Sequence, residues 1–465
     1  MPDNSTLIED ITIQPVAEDR RKGKASHLFP VWFGVNIMPL TLVTGVLGPT
    51  VFGLPAAWSV LAMIIGNLLG AILMALHSVQ GARLGVPQMI QSRAQFGMYG
   101  ALLVLAVGMF VYVGFLASIL ILARDTLGEF LTGLGGAGGL IICTAITLVV
   151  VIVGYELFHR INRVLVYLFG LAVVVLAISL ISHAGDSSGA ASSLAFTGTG
   201  FMGMISTAAV WQIAYAPYVS DYSRYLPTAT SSRSAFWYTY VGCVAGALPM
   251  MVLGALLVTV TSGSGTMADL VSLLPTVLRA FVLVMLFLGA IDAAVINLYG
   301  PSLTVLTIIQ TFKTSWVPRS SARAVAAVGV AVITLFVGLG FGSDFLNSYV
   351  GFIYFLALLL IPWSIINLID YYVVKKGEYD VRAFVDASRG YGHVNVPAVA
   401  AYILTFLIEV PFASTPFYTG PIATALNGAD LTWVIGSAAS IILYLGFLRI
   451  ASPRVRTEPS ERVAA

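Results

Sequence analysis

The sequence predicts an all-α polytopic membrane protein of about twelve transmembrane helices, and three observations carry that prediction. Of its 465 residues 58% are hydrophobic and only 9% charged, where a soluble domain carries roughly 25% charge. Between the charges lie apolar stretches that each fit one or two helices of roughly 20 residues. The 23 Lys and Arg are placed asymmetrically: with the N-terminus inside, only Arg124 and Arg279 fall on the outer side. One span missed or added in mid-chain would destroy that asymmetry, so it supports the number of spans as well as their direction. A β-barrel would alternate polar and apolar residues, whereas 140–154 and 168–181 are apolar on every face. Mean hydropathy of +0.94 speaks against disorder, and a net charge of +2 offers no basic surface for nucleic acid. Cys143 and Cys243 sit singly in apolar runs, without the spacing of a metal site or disulfide framework.

The elements follow in order. Residues 1–29 turn from acidic to basic, the reverse of a signal peptide, and read as a retained, mobile cytoplasmic tail. Span 1 (30–53) contains Pro39, Gly45, Gly48 and Pro49. Span 2 (58–80) carries His77 near its inner end, where a satisfied interfacial histidine is favoured over a proton relay, and span 3 (98–123) runs to Arg124. Spans 4 (136–156) and 5 (162–183) are largely aliphatic. Span 6 (198–219) opens on Gly198 and Gly200, contains Gly203 and leads into Trp211-Gln212-Ile213-Ala214-Tyr215-Ala216-Pro217. Span 7 (236–261) is uncharged, and span 8 (276–308) carries Asp292 and Asn297 in a long apolar segment beyond Arg279. Spans 9 (323–343) and 10 (348–374) precede span 11 (397–413), whose Glu409 reads as structural or near the outer interface, and span 12 (429–449). Residues 450–465 form a second cytoplasmic tail, so both termini face the cytoplasm across the plasma, or inner, membrane.

Spans 1 and 6 are the two that look broken. Glycine and proline free backbone groups, which survive at membrane depth only where they line a cavity or are buried in protein. Interrupted segments in matching positions of two halves indicate a transporter with an inverted repeat, its substrate held near the midplane. The halves are 30–183 and 198–374, five spans each, with 397–449 as an addition. The alternative is that membrane helices simply tolerate these residues.

Particular strings narrow the reading. Trp32-Phe33-Gly34-Val35-Asn36 opens span 1, and Gly81-Ala82-Arg83-Leu84-Gly85-Val86-Pro87-Gln88 begins the loop after span 2. Span 6 exits through Ala216-Pro217-Tyr218-Val219-Ser220-Asp221-Tyr222-Ser223-Arg224-Tyr225, and span 10 through Pro362-Trp363-Ser364-Ile365-Ile366-Asn367-Leu368-Ile369-Asp370. Together these resemble the nucleobase:cation symporter family, in its purine/cytosine permease branch, over about residues 20–380. The resemblance implies a LeuT-type fold: spans 1, 2, 6 and 7 form a bundle that rocks against a scaffold of spans 3, 4, 8 and 9, with spans 5 and 10 as thin gates. Arg83 and Arg93 flank the loop after span 2 as positive-inside anchors, and a latch to Asp221 or Asp370 is one reading of them; a solvated loop is the other.

The resemblance also implies a substrate ring held among spans 1, 3, 6 and 8. Tyr112 and Phe115 of span 3 offer a stacking face worth roughly 1–3 kcal/mol, while Leu116 stands where some relatives carry glutamine. Trp211 and Gln212 add a second ring and an amide just before the break, an ordinary packed Trp being the alternative. Asn297, in Asn297-Leu298-Tyr299, resembles the family's substrate-contacting Asn-x-Tyr element; its amide suits the N–H and C=O edge of a nucleobase, with a helix-to-helix hydrogen bond as the alternative. Asp292 lies in an apolar run where an ionised carboxylate costs at least ~2.5 kcal/mol. Sodium-coupled relatives have hydroxyls near this point, so a proton is favoured over sodium as the coupling ion, and a structural aspartate is the further alternative. Asn36, with Thr41 and Thr44 beside Pro39, offers hydroxyls and freed carbonyls to the cation or substrate.

A secondary transporter accounts for the spans, the paired breaks and the midplane polar residues together. An intramembrane enzyme would need a nucleophile, metal or acid pair at depth, and no His-Glu-x-x-His or Gly-x-Ser-x-Gly string occurs. A channel would need a polar ring around a symmetric pore. No Walker A string is present, no cofactor or certain metal is expected, and the partners are a small heterocycle and the bilayer, with no obligatory protein partner evident. Cytosine and purines come first as cargo; uracil, allantoin, hydantoins or a vitamin-like ring remain open.

Overall fold

A computed structural model describes residues 12–131, 133–153, 155–183, 194–261, 265–340, 345–386, 391–415 and 417–451. Its helices follow the charge-free stretches. Span 1 is α1 (Leu28–Gly34) plus α2 (Pro39–Thr50), span 2 is α3 (Ala56–Leu84), and the loop after it is itself a helix, α4 (Gln88–Phe96). Then come α5 (Ala101–Phe130), α6 (Gly136–Val153) and α7 (Tyr155–Ser182), which are spans 3 to 5. Span 6 is α8 (Gly198–Ile213) plus α9 (Ala216–Ser223), and span 7 is α10 (Ser232–Thr261). A short α11 (Met267–Ser272) precedes α12 (Thr276–Phe312), α13 (Ser320–Gly340) and α14 (Phe345–Ile369), the last continuing as a π turn, Asp370–Val374. Spans 11 and 12 are α15 (Val396–Glu409) and α17 (Thr432–Ala451), with α16 (Pro421–Ala425) between them. The one departure from an all-α chain among the described residues is a hairpin of two-residue strands, β1 (Ser414–Thr415) and β2 (Tyr418–Thr419), antiparallel with Ser414 opposite Thr419.

Among the described residues eight helices are long and apolar enough to cross a membrane, and the two halves of span 1 make a ninth. Spans 4 and 11 are shorter apolar helices, and span 6 is divided between α8 and α9.

Both expected interruptions are present, each with a local cause. In span 1, Met38 is extended (φ −143°, ψ 161°), because the residue before a proline is pushed out of the helical region, and Pro39 then starts α2. The two halves are bent by 61°. In span 6 the interruption falls at Ala214–Tyr215. Tyr215 N donates to Gln212 O at 3.2 Å and Tyr218 N to Tyr215 O at 3.2 Å, tightened bonds around Pro217, which has no N–H to give.

Packing divides the helices as a bundle and a scaffold. The most extensive contacts on one side join α3 with α8, α10 with α3, and α10 with α2; on the other they join α12 with α5, α12 with α13, and α5 and α13 with α6. Small residues permit the closest approaches. A Cβ at Gly70 of α3 would lie 2.2 Å from Ala209 O of α8, and one at Gly289 of α12 would lie 1.8 Å from Ile37 O in the span 1 break. Spans 11 and 12 pack on each other and on α14.

Two expectations need correction at the charge-rich face. The N-terminal segment is not a mobile tail from residue 12 onward: Ile13 and Val16 are buried, Val16 N donates to Gly85 O at 2.9 Å, and Gly23 N to Tyr225 O at 2.9 Å. Residues 1–11 and most of 450–465 lie outside the described residues. Nor do Arg83 and Arg93 latch onto Asp221 or Asp370. Arg83 donates to Ser232 Oγ. Arg93 is buried and donates to Gln310 Oε1, Phe384 O, Thr307 O and Thr311 Oγ1 at 2.5–2.8 Å. Burial pushes its pKa down to about 9, so the guanidinium keeps its proton at neutral pH and ties α4 to the end of α12. Asp221 accepts from Gln88 N at 2.9 Å, and Asp370 from Tyr379 and Tyr444.

Candidate transport site

The residues singled out from the sequence fall into three groups. One is internal to the bundle. Asn36, in the span 1 break, donates to Trp32 O at 2.7 Å and accepts on Oδ1 from Trp211 Nε1 at 2.8 Å and from Tyr215 OH at 3.4 Å. It thereby ties the two broken spans together. Gln212 points away from the scaffold: its Nε2 donates to Asn67 Oδ1 of α3 at 2.6 Å. Asn67 is fixed in turn by donating to Met63 O and Met251 Sδ. The structure therefore brings Asn36 and Gln212 into the bundle core, not beside Asn297.

The second group lies where bundle meets scaffold. Asn297 is 2% exposed; its Nδ2 donates to Ala293 O at 2.9 Å, and its Oδ1 faces Tyr218 OH at 3.4 Å. Tyr112 donates through its hydroxyl to Pro217 O at 2.7 Å, and its ring lies 5.1 Å from that of Tyr218, tilted by 30°. Phe115 meets Trp211 edge-on at 5.9 Å. Four aromatic rings and one amide thus converge from spans 3, 6 and 8, next to the broken turn of span 6. The arrangement can sandwich a flat apolar face and answer a polar edge.

The third group surrounds Asp292, on another face of α12. Asp292 Oδ1 accepts from Asn162 Nδ2 of α7 at 2.6 Å. Asp292 Oδ2 and Asn162 Oδ1 have no hydrogen-bond partner, though both residues are buried. Both oxygens face the end of α1: a Cβ at Gly34 would lie 3.3 Å from Asp292 Oδ2 and 3.7 Å from Asn162 Oδ1. A buried carboxylate with one donor and a free oxygen has to be neutralised by a proton or a cation. Across the break, Pro39 begins α2, the Thr41 hydroxyl is buried without a partner, and Thr44 bonds Tyr349 OH of α14 at 2.8 Å. Thr41 and Thr44 are not in hydrogen-bond contact with Asp292. His77 is fully buried and its ring is satisfied, stacked on Trp363 and bonded to Ser364 and Gln88. Glu409 is buried against α17 at Gly436, with neither oxygen partnered.

Sequence reasoning missed Tyr218, Asn162 and Asn67. Tyr218 stood in a quoted string but read as part of a helix exit. Asn162 lies between Arg160 and Arg163, whose side chains are outside the described residues, and so looked like a helix end. Asn67 gave no signal, since a lone amide in an apolar helix has no periodicity to mark its partner.

The broken helices, the bundle and scaffold, and a buried aromatic and amide site where they meet define a polytopic membrane transporter of LeuT type. The solved structure of Mhp1, a nucleobase-cation-symport-1 family transporter, in a closed conformation with bromovinylhydantoin bound, matches with a TM-score of 0.75 at 18% identity, over 96% of each chain. Its inward-facing form gives 0.71 at 17% identity, over 97% of this chain and 95% of that one. By sequence, residues 15–436 match the family described as permeases for cytosine/purines, uracil, thiamine and allantoin. The chain is 40% identical over 457 residues to the Bacillus subtilis (strain 168) protein named "Putative purine-cytosine permease YxlA", covering 97% of both. It is 26% identical to the purine-cytosine permease fcyB of Emericella nidulans, over 89% of this chain and 83% of that one. The chain belongs to the cytosine/purine, uracil, thiamine and allantoin permease family.

Proposed function

We propose that this protein imports a nucleobase, with cytosine and purines first, by symport with a proton, both termini facing the cytoplasm. The observation that carries the cargo is the convergence of Asn297 with Tyr112, Phe115, Trp211 and Tyr218 at the seam between bundle and scaffold. Aromatic faces suit a flat ring, and a buried amide suits its hydrogen-bonding edge. The proton reading rests on Asp292, whose free oxygen lies 3.3 Å from where a Cβ of Gly34 would sit, close to the broken span that has to move. Protonated, the carboxyl loses its charge and the closed seam is stabilised; deprotonated, it favours hydration and opening.

A second reading, sodium coupling, is favoured by the two unpartnered oxygens of Asp292 and Asn162 that face one point beside Gly34. Either ion is sufficient energetically. One cation moving down about 100 mV releases roughly 2.3 kcal/mol, enough to concentrate a neutral solute roughly 50-fold.

The deciding experiment is uptake of radiolabelled cytosine, adenine, uracil, allantoin and hydantoin into cells lacking their own permeases, with and without sodium and with an uncoupler. Cytosine or purine uptake that ignores sodium and collapses with the uncoupler is the expected result. Sodium-dependent uptake indifferent to pH would replace the proton, and uptake of none of these rings would end the nucleobase reading.

A further inference from the structure

The stacking face of Tyr112 is occupied in this structure. Tyr218, on the short helix that follows the span 6 break, lays its ring on Tyr112 with centroids 5.1 Å apart. A third ring between them would require about 7 Å, two van der Waals spacings. Gly300, next to that pair, leaves the room they use: a Cβ there would lie 3.3 Å from Tyr112 Cε1 and 3.4 Å from Tyr218 Cβ. Tyr218 also takes up the polar edge. One N–H of Asn297 Nδ2 is taken by Ala293 O, which can only accept, and this fixes the amide so that Oδ1 faces Tyr218 as an acceptor. The group in front of that oxygen is the Tyr218 hydroxyl, a donor, at 3.4 Å. The bond is longer than a good O–H···O bond of 2.5–3.0 Å and so is readily exchanged. Tyr218 is mounted to move: it lies just beyond Ala214–Tyr215, where the helix is interrupted and Pro217 removes a backbone donor.

We propose that Tyr218 is a built-in stand-in for the substrate, its ring covering the Tyr112 face and its hydroxyl answering Asn297 until a ring bearing an N–H displaces it. This rests on the proposed nucleobase site and deepens it. Tyr218 is a positioning residue that sets specificity: because Asn297 offers an acceptor, the ring that wins the exchange must bring a donor, and a heterocycle with every N–H replaced by N-methyl brings none.

The test compares the unaltered protein with Tyr218→Phe and Asn297→Ala, by uptake of radiolabelled cytosine at measured surface expression. Phenylalanine keeps the ring and removes the competing donor. KM should fall about threefold, somewhat less than the ~5-fold equivalent of a full hydrogen bond of ~1 kcal/mol, and out of proportion to any change in maximal rate. A merely structural tyrosine would lower surface level or maximal rate and leave KM unmoved, and that result overturns the proposal. In the unaltered protein 1,3-dimethyluracil, which has no N–H, should inhibit the same uptake at least about 5-fold more weakly than uracil, the equivalent of one hydrogen bond of ~1 kcal/mol. Equal inhibition by the two rings would refute exchange of donors. Unchanged kinetics in Asn297→Ala would instead remove the site reading itself, and absence of cytosine uptake by the unaltered protein removes the substrate; in both cases this proposal goes with them.

Discussion

Asn297 presents its Oδ1 as an acceptor at a buried seam, so the side chain that meets it decides what the seam accepts. Replacing it with Ala deletes that acceptor together with the bond to Ala293 O. KM for the transported ring should rise about 5- to 30-fold, the equivalent of losing a buried hydrogen bond of ~1–2 kcal/mol, at unchanged surface expression. Unaltered kinetics would strike Asn297 from the site. Its prominence was readable from the string Asn297-Leu298-Tyr299, because polar residues are so few in span 8. Gln212 was equally conspicuous in sequence and yet turns to Asn67, because one residue along a helix rotates a side chain by about 100°. Composition marks a residue as costly to bury; it does not say which neighbour meets that cost.

Among elements, the breaks depend on what packs against them. Gly289→Ala places a methyl group on the Ile37 carbonyl, which would lie 1.8 Å from it, and span 8 would be forced away from the span 1 break. Uptake should be lost while the protein still reaches the membrane, measured by surface labelling beside transport; retained uptake would mean that the contact is dispensable. The N-terminal segment yields a pH prediction. Thr228 donates to both carboxylate oxygens of Glu18, through Oγ1 and N, and these bonds hold the carboxyl below its usual pKa. A folded-state pKa below the unfolded value means that the attachment is complete above about pH 4.3 and weakens as pH falls through the lower, folded value. Cleavage by trypsin at Lys22 or Lys24 should therefore be faster in Glu18→Gln than in the unaltered protein at pH 7, and amide hydrogen exchange at Val16 and Gly23 should differ between the two at pH 7 but not once the pH is low enough to protonate Glu18. Equal rates at pH 7 would show that Glu18 does not hold the strap. Neither α4 nor this strap was legible as structure. α4 is polar and short, with Gly85 and Pro87 before it; its buried Gln88 and Gln95 find partners on neighbouring helices, and its buried Gln91 donates to Val86 O in the turn before it.

In the whole molecule, the proposed proton coupling is tested as a dependence on the gradient. Asp292→Asn keeps the size of the side chain and removes the titrating group. Net accumulation should become insensitive to external pH and to an uncoupler, falling to equilibration of the ring across the membrane, measured as the steady-state internal-to-external ratio. Full accumulation by Asp292→Asn would exclude Asp292 as the carrier of the driving ion. The same scale shows why the bundle is a unit. Asn36 with Trp211 and Asn67 with Gln212 bind spans 1, 2 and 6 internally, whereas Tyr218 with Asn297 and Thr44 with Tyr349 cross to helices outside the bundle.

By itself the sequence determined the span positions, the two interruptions and the family. Hydrophobic length, the scarcity of charge and the backbone chemistry of proline and glycine are local properties that a membrane amplifies. Only the tertiary structure decided which polar groups meet: Asp292 with Asn162, Asn297 with Tyr218, Arg93 with four neutral oxygens. Those pairings join residues far apart in the chain, and the rotation of one packed helix against another selects them.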